Sequence, residues 1–419
     1  MIDLAHDAAH VRRLVTRGVR AVLARREVRA ELAVRPPVTD GTINVAVYFT
    51  DGPENLYQLD QWFEPLRRLH EMHHVTVLCR NWETTRALLR DCPVPVHHAA
   101  TIEEVERFVD RQPVRAMLYV NQNQQNFPAM RFASPSHVFI CHGESDKDYM
   151  SSNQLKAYDR VFIAGTAARE RILRKLIGFD EGRLVEVGRP QVDVHQRGPA
   201  LPDDSRTVVL YAPTTEGDVP SMRYSSAAGH GVAVVRSLAA TGRHRIIYRP
   251  HPRLGLTVPA YAQAHRDILR VIDEANRTDP SAHHVADTSG PFGWHIDAAD
   301  VCIADISAVA YDWLATAKPL VVTLPTEARA QLPESGLVRE LELFDAADAH
   351  RAAAIVDAAA SHPDETHAAL VRRYFGDTTP GASMQRFLDA CAVVVDEREA
   401  AVAARESADA ADPLTDPAT

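Results

Sequence analysis

The chain has few cysteines, no long apolar run and no surplus of positive charge, and each shortage excludes a class of protein. Its five cysteines stand singly without a CxxC pair, which argues against a zinc or disulfide framework and suits a reducing cytosol. The longest apolar stretches are strand-length and the N-terminus lacks an apolar signal-peptide core, so no membrane span or signal peptide is predicted. The formal net charge of −10 argues against general affinity for nucleic acid.

Three common nucleotide-binding and catalytic motifs are also missing. The sequence has no GxxxxGK[ST], no GxGxxG after a predicted strand and no GxSxG. These absences argue against P-loop, Rossmann dehydrogenase and α/β-hydrolase chemistry. We predict no metal site and no cofactor, because neighbouring histidines such as His97 and His98 point to opposite faces of a strand and chelate one ion poorly.

The chain does have length and a regular alternation of short β-branched runs with helical stretches. Its 419 residues exceed what one hydrophobic core usually serves, so two domains are expected. The alternation is typical of parallel sheets built from βαβ units. We predict an α/β fold of two doubly wound domains facing across a cleft, with the limits 1–40 for an N-terminal helix, 41–198 and 207–390 for the domains, and 396–419 for a disordered tail.

Eleven segments are predicted to be strands. They are Ile43–Thr50, Val75–Cys79, Ala116–Val120, Val138–Cys141, Arg160–Ala164, Leu184–Val187, Thr207–Ala212, Arg245–Tyr248, His283–Ala286, Val301–Ala304 and Leu320–Leu324. Open α/β sheets bind ligands at the carboxyl ends of their strands, so the informative polar residues should follow these segments.

The N-terminal segment is strongly basic. Residues 11–35 carry eight arginines against Glu27 and Glu31, with apolar residues at helical spacing among them. A basic amphipathic helix can lie on an anionic membrane surface. The alternative is that the apolar stripe packs on the first domain.

The first polar cluster follows the predicted strand Val138–Cys141. His142 comes next, and Gly143 after it lets the backbone turn sharply. Because imidazole titrates near neutral pH, His142 could take a proton from an attacking hydroxyl, and Lys147 could contact phosphate oxygens. The alternative is a loop histidine that only hydrogen-bonds the backbone.

A second cluster follows the predicted strand Arg245–Tyr248. Prolines on both sides fix the backbone around His251, and the planar guanidinium of Arg249 can bind a phosphate in a forked geometry. Proline-rich loops are common, so the motif is moderately specific.

A third cluster follows the predicted strand Val301–Ala304. Asp305 ends this strand, and Ser307 stands where the N-cap of the next helix belongs, at a helix end that favours anions. Plain capping is the alternative. Thr214 and Arg189 follow two other strands and are further candidates for ligand contact.

In order and spacing these motifs resemble the CDP-glycerol glycerophosphotransferase family, the teichoic-acid primases and polymerases of GT-B fold. The resemblance spans about residues 130 to 390, and its strength lies in the order of the set. The residues that carry it are His142, Gly143 and Lys147, then Gly188, Pro190 and Asp193, then Tyr211 to Thr214, Arg249 to Pro252, and Asp305, Ser307, Asp312, Lys318 and Pro319. Tyr374 to Asp377 with Gly381, Ala382 and Arg386 resemble the closing helix of the family. The family's Pro-Arg pair is replaced by Arg189-Pro190.

The resemblance implies a GT-B-like fold that binds CDP-glycerol or a related CDP-alditol between two Rossmann-like domains. A hydroxyl of a polymer or lipid-linked acceptor, part of the cell envelope or a capsule, would attack the distal phosphorus and expel CMP. The implied catalytic residues are His142 and His251, and the implied substrate-binding residues are Gly143, Lys147, Arg189, Thr214, Arg249, Asp305 and Ser307.

Two other functions stay open at this stage. One is a GT-B glycosyltransferase that uses a sugar nucleotide, and the other is a non-catalytic nucleotide-binding protein of envelope assembly. In each case the expected location is the cytoplasm, with the basic helix as a candidate for docking on the inner face of the membrane.

Overall fold

A computed structural model describes residues 4–35, 38–146, 148–194, 198–288, 292–333, 336–361 and 365–411. Within these ranges the chain forms two parallel β-sheets, and each sheet has one apolar core on either face. The first sheet comes entirely from the first half of the chain and the second sheet from the second half, which confirms the predicted α/β class.

The first sheet, within the described ranges, has seven strands in the order β3-β2-β1-β4-β5-β6-β7. Their bounds are β1 Val45–Phe49, β2 Val75–Cys79, β3 Val96–His98, β4 Ala116–Tyr119, β5 Ser136–Phe139, β6 Arg160–Ile163 and β7 Leu184–Glu186. Val45, Val47 and Phe49 of β1 belong to one core, and Ala46 and Tyr48 to the other. All five are buried because helices cover both faces of a parallel sheet.

The second sheet has six strands in the described part of the chain, in the order β10-β9-β8-β11-β12-β13. Their bounds are β8 Thr207–Ala212, β9 His244–Tyr248, β10 Val285–Ala286, β11 Val301–Ala304, β12 Leu320–Thr323 and β13 Leu343–Phe344. The neighbouring strands β9, β8 and β11 bring three of the predicted polar clusters to one edge of this sheet.

Fourteen α-helices are found in the same ranges. They are α1 Leu4–Val34, α2 Tyr57–Asp60, α3 Phe63–Met72, α4 Trp82–Asp91, α5 Ile102–Arg111, α6 Thr166–Lys175, α7 Val232–Ala240, α8 Pro259–Thr278, α9 Trp294–Ala298, α10 Ala308–Leu314, α11 Leu337–Glu340, α12 Ala352–Ser361, α13 Glu365–Phe375 and α14 Ala382–Ala411. None of those described is long and apolar enough to cross a bilayer.

Every predicted strand is present, with bounds that differ by up to two residues. The sequence analysis missed β3 and β13, which have three and two residues. Runs this short carry too little periodicity to separate a strand from a loop.

The last helix, α14, crosses back to the first sheet. Its residues Phe387, Cys391 and Val394 share an apolar core with β1 and β2. Beyond that core, Glu397 pairs with Arg160 of β6 at 3.0 Å. The helix therefore closes the first domain although it follows the second in sequence.

The structure differs here from the predicted tail at 396–419, since residues 396–411 are helical and 412–419 lie outside the described ranges. The alanine- and glutamate-rich composition that suggested disorder is also strongly helix-forming once one end of the helix is packed. The division at 41–198 and 207–390 stays a prediction.

Candidate active site

The carboxyl ends of both sheets face a common cleft between the domains. Its volume is about 720 Å³, and both halves of the chain line it. The predicted residues His142, Thr214, Arg249, His251 and Ser307 all lie in this lining. The fold thus collects at one place side chains that are up to 165 positions apart in sequence.

His142 lies in the loop after β5. Hydrogen bonds to two backbone carbonyls fix the position of this loop. The indole N–H of Trp62 donates to the carbonyl of Cys141 at 2.7 Å, and the guanidinium of Arg189 donates to the carbonyl of His142 at 2.9 Å. The ring Nδ1 lies 3.3 Å from the carbonyl oxygen of Val120. Because a carbonyl only accepts, Nδ1 carries the hydrogen, and Nε2 of the neutral ring is the basic nitrogen.

His251 lies in the loop after β9 and has the opposite arrangement. Its own N–H donates to the carbonyl of Pro213 at 2.9 Å, and the N–H of Arg253 donates to its Nδ1 at 3.0 Å. Nδ1 therefore accepts, and in the neutral ring Nε2 carries the hydrogen. The two imidazoles thus differ in which ring nitrogen is the basic one.

The phenol ring of Tyr57 contacts both imidazoles across the cleft. Its ring centroid lies 6.3 Å from that of His142 and 5.5 Å from that of His251, edge-on to each. Tyr57 begins α2 of the first domain. Tyr57 therefore lies between the two histidines, one of which stands on each wall.

Arg249 supplies a fixed positive charge on the second-domain wall. Its side chain is buried, and it donates to the carbonyl of Asp287 at 3.2 Å. The Asp287 carboxylate accepts from the Nε2 of His295 at 2.8 Å. Burial lowers the pKa of His295 to about 4, so this ring is neutral near pH 7. The negative charge of Asp287 is therefore balanced by Arg249 and not by His295.

Thr214 and Ser307 bring polar groups to the same wall. The N–H of Thr214 donates to the carboxylate of Asp305 at 2.7 Å, and the hydroxyl of Thr323 donates to that carboxylate at 2.6 Å. The Oγ of Ser307 is buried and makes no hydrogen bond to any described residue. Ser307 therefore has a buried hydroxyl without a described partner at this wall, whereas Asp305 holds the turn at Thr214.

Two predicted substrate-binding residues lie behind the cleft rather than in its lining. Asp305 is completely buried, and burial raises its pKa. Arg189 is also buried, and its Nε donates to the carboxylate of Asp312 at 2.6 Å. Since Arg189 follows β7 and Asp312 lies in α10, this ion pair joins the two domains. Neither side chain belongs to the cleft lining, and their role in binding substrate stays a prediction.

The last two predicted substrate-binding residues are Gly143 and Lys147, and the structure describes only the first. Gly143 lies where the domains approach closely, because a Cβ there would come within 3.0 Å of the Cβ of Ala308. Lys147 lies outside the described residues. The prediction of no metal and no cofactor stays a prediction; the described residues contain no group of three His, Cys, Asp or Glu side chains able to hold an ion.

A buried carboxylate fixes the two walls relative to each other. Asp146 ends the His142 loop and accepts from the hydroxyls of Tyr311 at 2.8 Å and Tyr374 at 2.6 Å, both of the second half of the chain. It also accepts from the guanidinium of Arg171 at 2.7 Å, which balances its charge. The cleft therefore has walls held by buried polar contacts.

Comparison with known protein families shows which family part of this chain is similar to. Residues 141–327, which hold both cleft histidines and the described polar residues of the second-domain wall, match the model of the CDP-glycerol:poly(glycerophosphate) glycerophosphotransferases. The resemblance predicted from the motifs is confirmed. Over these residues the chain is similar to the CDP-glycerol glycerophosphotransferases.

Solved structures confirm the GT-B-like fold of the chain. The wall teichoic acid polymerase TagF is 14% identical, with a TM-score of 0.59 over 92% of this chain and 98% of that one. A TagF variant soaked with CDPG gives 0.56 at 14% identity and the same coverage. The MnaA–UDP structure from S. aureus gives 0.52 at 12% identity, over 85% of this chain and 97% of that one. No curated protein matches by sequence.

Some residues of the cleft were missed by the sequence analysis. Tyr57 and Asp287 lie in none of the motifs, whereas Asp312, which belongs to one of them, pairs with Arg189. The amide-rich run Asn121–Gln125 also lines the cleft. That run directly follows the predicted strand Ala116–Val120, so the strand-end rule that selected His142 could have found it.

Proposed function

We propose that this enzyme transfers glycerol phosphate, or a related alditol phosphate, from a CDP-activated donor to a hydroxyl of a cell-envelope or capsule polymer, releasing CMP. The observation that carries the proposal is the pair of histidines on opposite walls. In the neutral ring of His142 the basic nitrogen is Nε2, which can take a proton, whereas the neutral ring of His251 carries its hydrogen on Nε2. An acceptor hydroxyl needs the first and a leaving phosphate needs the second.

The second-domain wall suits the nucleotide diphosphate of the substrate. Arg249 supplies a positive charge, and Thr214 and Ser307 supply hydroxyls in the same lining. Phe292 also lines the cleft, and its ring stacks on that of His295 with centroids 5.1 Å apart. We assign the phosphates to the polar group and the cytosine to the aromatic face, since phosphates need charge-assisted hydrogen bonds and bases stack on rings.

In the proposed reaction the acceptor hydroxyl loses its proton to Nε2 of His142 as its oxygen bonds to the distal phosphorus. The bond from that phosphorus to the bridging oxygen breaks, and the oxygen leaves with CMP. His251 supplies the hydrogen bond or proton that this oxygen needs. Catalysis of this kind depends mainly on positioning and on neutralising the charge of the phosphates, which Arg249 provides.

The test is CMP release from the purified full chain, offered CDP-glycerol, CDP-ribitol and a set of sugar nucleotides with hydroxyl acceptors. Acceptor-dependent CMP release from a CDP-alditol is the expected result and names the substrate. Turnover of a sugar nucleotide alone would move the chemistry to glycosyl transfer. Binding of CDP-glycerol without turnover by any acceptor would leave a nucleotide-binding protein of envelope assembly.

We further propose that the enzyme works in the cytoplasm and docks on the inner face of the membrane through α1. Val19, Val22 and Leu23 are large apolar residues with 54%, 67% and 50% of their surface exposed. Ala24 and Val28 of the same helix are fully buried, so the helix is anchored on the first domain. All five cysteines are unpaired, as a reducing compartment requires.

The basic charge of this segment fits an anionic lipid surface, since apolar burial and electrostatic attraction add together. A triple variant, Val19→Gln with Val22→Gln and Leu23→Gln, should lose flotation with phosphatidylglycerol vesicles and keep its turnover. The matched control is Ile177→Gln with Leu256→Gln and Val393→Gln, which are exposed elsewhere. Equal flotation of both triple variants would sink the docking proposal.

A further inference from the structure

Two loops form the part of the second-domain wall around His251. One follows β8 and includes Pro213 and Thr214, and the other follows β9 and includes Arg249 and His251. The N–H of His251 donates to the carbonyl of Pro213 at 2.9 Å, which joins the loops near the ends of their strands. Further along the chain a second contact joins the same two loops, and it depends on the carboxylate of Glu216.

This carboxylate accepts four hydrogen bonds from residues 255–258, where the second loop ends. The Oε1 of Glu216 accepts from the N–H and the hydroxyl of Thr257, each at 2.8 Å, and from the N–H of Val258 at 3.1 Å. Its Oε2 accepts from the N–H of Gly255 at 2.8 Å. One side chain of the first loop therefore fixes the backbone of the second.

Glu216 is completely buried and is ionised. Burial acts to raise the pKa of its carboxyl, but the N–H donors of Gly255 and Thr257 outweigh burial and bring the pKa down to about 2. The side chain is thus negatively charged near pH 7. An uncharged replacement would lose much of the attraction that holds the backbone of residues 255–258.

The same contact also caps helix α8. The N-cap residue Val258 has no side-chain oxygen, and Glu216 accepts its N–H from 42 positions away in sequence. Capping by itself would contribute to stability and leave the chemistry of the cleft unaffected. An additional role for Glu216 must therefore be argued from its relation to the cleft.

His251 lies between the two contacts that join the loops. The N–H of Arg253 donates to its Nδ1 at 3.0 Å, and the N–H of Leu254 donates to its carbonyl at 2.9 Å. The next residue along the chain is Gly255, which Glu216 holds. We propose that Glu216 is a positioning residue that fixes the imidazole of His251 against the leaving phosphate oxygen. The inference rests on the proposed function and adds to it a residue outside the cleft lining.

The experiment removes the charge of Glu216 with and without His251. Glu216→Gln keeps the shape of the side chain but turns an NH2 group towards one of the N–H donors. The kcat of CMP release should fall about ten- to a hundredfold, the scale of a reacting group misplaced by about 1 Å. In the His251→Ala background the same change should alter kcat by less than about twofold, because the two residues act as one unit. A near-normal kcat in the single variant, or an equal loss in both backgrounds, would overturn the inference.

Asp204→Asn is the matched control for stability. Asp204 is a carboxylate outside the cleft lining, and it accepts from the buried guanidinium of Arg245 at 2.8 Å. Both Asp204→Asn and Glu216→Gln should lower the midpoint of urea unfolding, but only Glu216→Gln should lower kcat. A similar loss of kcat in Asp204→Asn would reduce the effect of Glu216 to stability and overturn the inference.

Thr257→Val is a milder variant that keeps the carboxylate. It removes only the hydroxyl donor to Glu216, so it tests the contact even where Glu216→Gln does not fold. Its kcat should fall about two- to tenfold, the scale of one hydrogen bond, and this loss should again disappear in the His251→Ala background. A loss that persists without His251 would contradict the proposed role.

The imidazole nitrogens of His251 give a measurement that needs no turnover. In the ¹⁵N spectrum of histidine-labelled protein, the signals that disappear in His251→Ala belong to this ring. Glu216→Gln should move its Nδ1 signal, because the hydrogen bond from Arg253 changes, and Asp204→Asn should not. An unmoved signal in Glu216→Gln would overturn the inference. Absence of CMP release from every CDP-alditol would instead count against the proposed function, and the nitrogen spectrum would still test the effect of Glu216 on His251.

Discussion

The two walls of the cleft differ in how the sequence encodes them. On the second-domain wall, Thr214, Arg249 and Ser307 each follow a strand of one sheet and stand in short recognisable motifs. The first-domain wall takes Tyr57 from a short helix and its carboxamides from two separate loops. A diphosphate has a fixed shape and charge, so few residue types can hold it. An acceptor hydroxyl can be held by many arrangements of polar side chains, and the sequence signal is correspondingly weaker.

The largest expected effect is on the free energy of unfolding, when the buried ion pair that joins the two walls is removed. Arg189→Ala would leave the Asp312 carboxylate buried without its cation, which should lower the free energy of unfolding by about 3–5 kcal/mol. Urea unfolding measures this. The control is Arg329→Ala, whose exposed ion pair with Glu327 should contribute less than about 1 kcal/mol. Similar losses in the two variants would contradict a buried bridge between the domains.

The histidines test whether the walls have different roles. His142→Ala and His251→Ala should each lower turnover by about two orders of magnitude or more, the usual scale for acid–base groups. Calorimetric binding of CDP-glycerol should be preserved in His142→Ala and weakened in His251→Ala, because only His251 is assigned to the leaving CMP. His350→Ala, at an exposed helical site, is the control. A near-normal rate in either cleft variant removes that residue from the mechanism.

Arg249 tests the second-domain wall alone. Losing its charge-assisted hydrogen bonds, about 1.5–3 kcal/mol, should raise the Kd of CDP-glycerol about ten- to a hundredfold in Arg249→Ala. The KM for the hydroxyl acceptor in the CMP-release assay should be unaffected in the same variant. Arg243→Ala, which removes an exposed ion pair of the same domain, is the control. An acceptor KM raised as much as the Kd of CDP-glycerol would show that the walls do not act separately.

The raised pKa of Asp60, on the first-domain wall, predicts how the stability of the protein depends on pH. Burial, with a contribution from the charge of Asp91, raises the pKa of Asp60 to about 7. The unfolded chain loses this proton near pH 4, so between about pH 4 and 7 the folded state binds more protons and its stability falls as pH rises. Asp60→Asn removes that loss.

The gain in unfolding free energy of Asp60→Asn over the wild type should therefore grow from pH 4 to pH 7 and then level off. Urea unfolding at several pH values measures it. Asp91→Asn should reduce the pH dependence in part, since the Asp91 charge is the smaller cause. A gain that does not change with pH would show that Asp60 is not shielded from water.

Much of the fold could be predicted because its strands are buried on both sides. Each strand such as Val301–Ala304 is a continuous apolar run, and its length and flanking residues mark it clearly. The path of α14 could not be predicted. Phe387 and Cys391 form an apolar stripe that any sheet could cover, and only the tertiary structure shows that the first sheet does so.

By itself the sequence determined the α/β class, the strand ends that carry polar residues and the family to which the motifs point. Local spacing and residue chemistry carry that information along the chain. The tertiary structure decided that Arg189 and Asp305 lie behind the cleft lining and that Tyr57 lies between the histidines. It also decided that Arg249 and Arg253 lie on one wall of the cleft and most of the carboxamides on the other. Those outcomes depend on contacts between residues far apart in sequence, and burial and pairing there are set by the packing of the two domains.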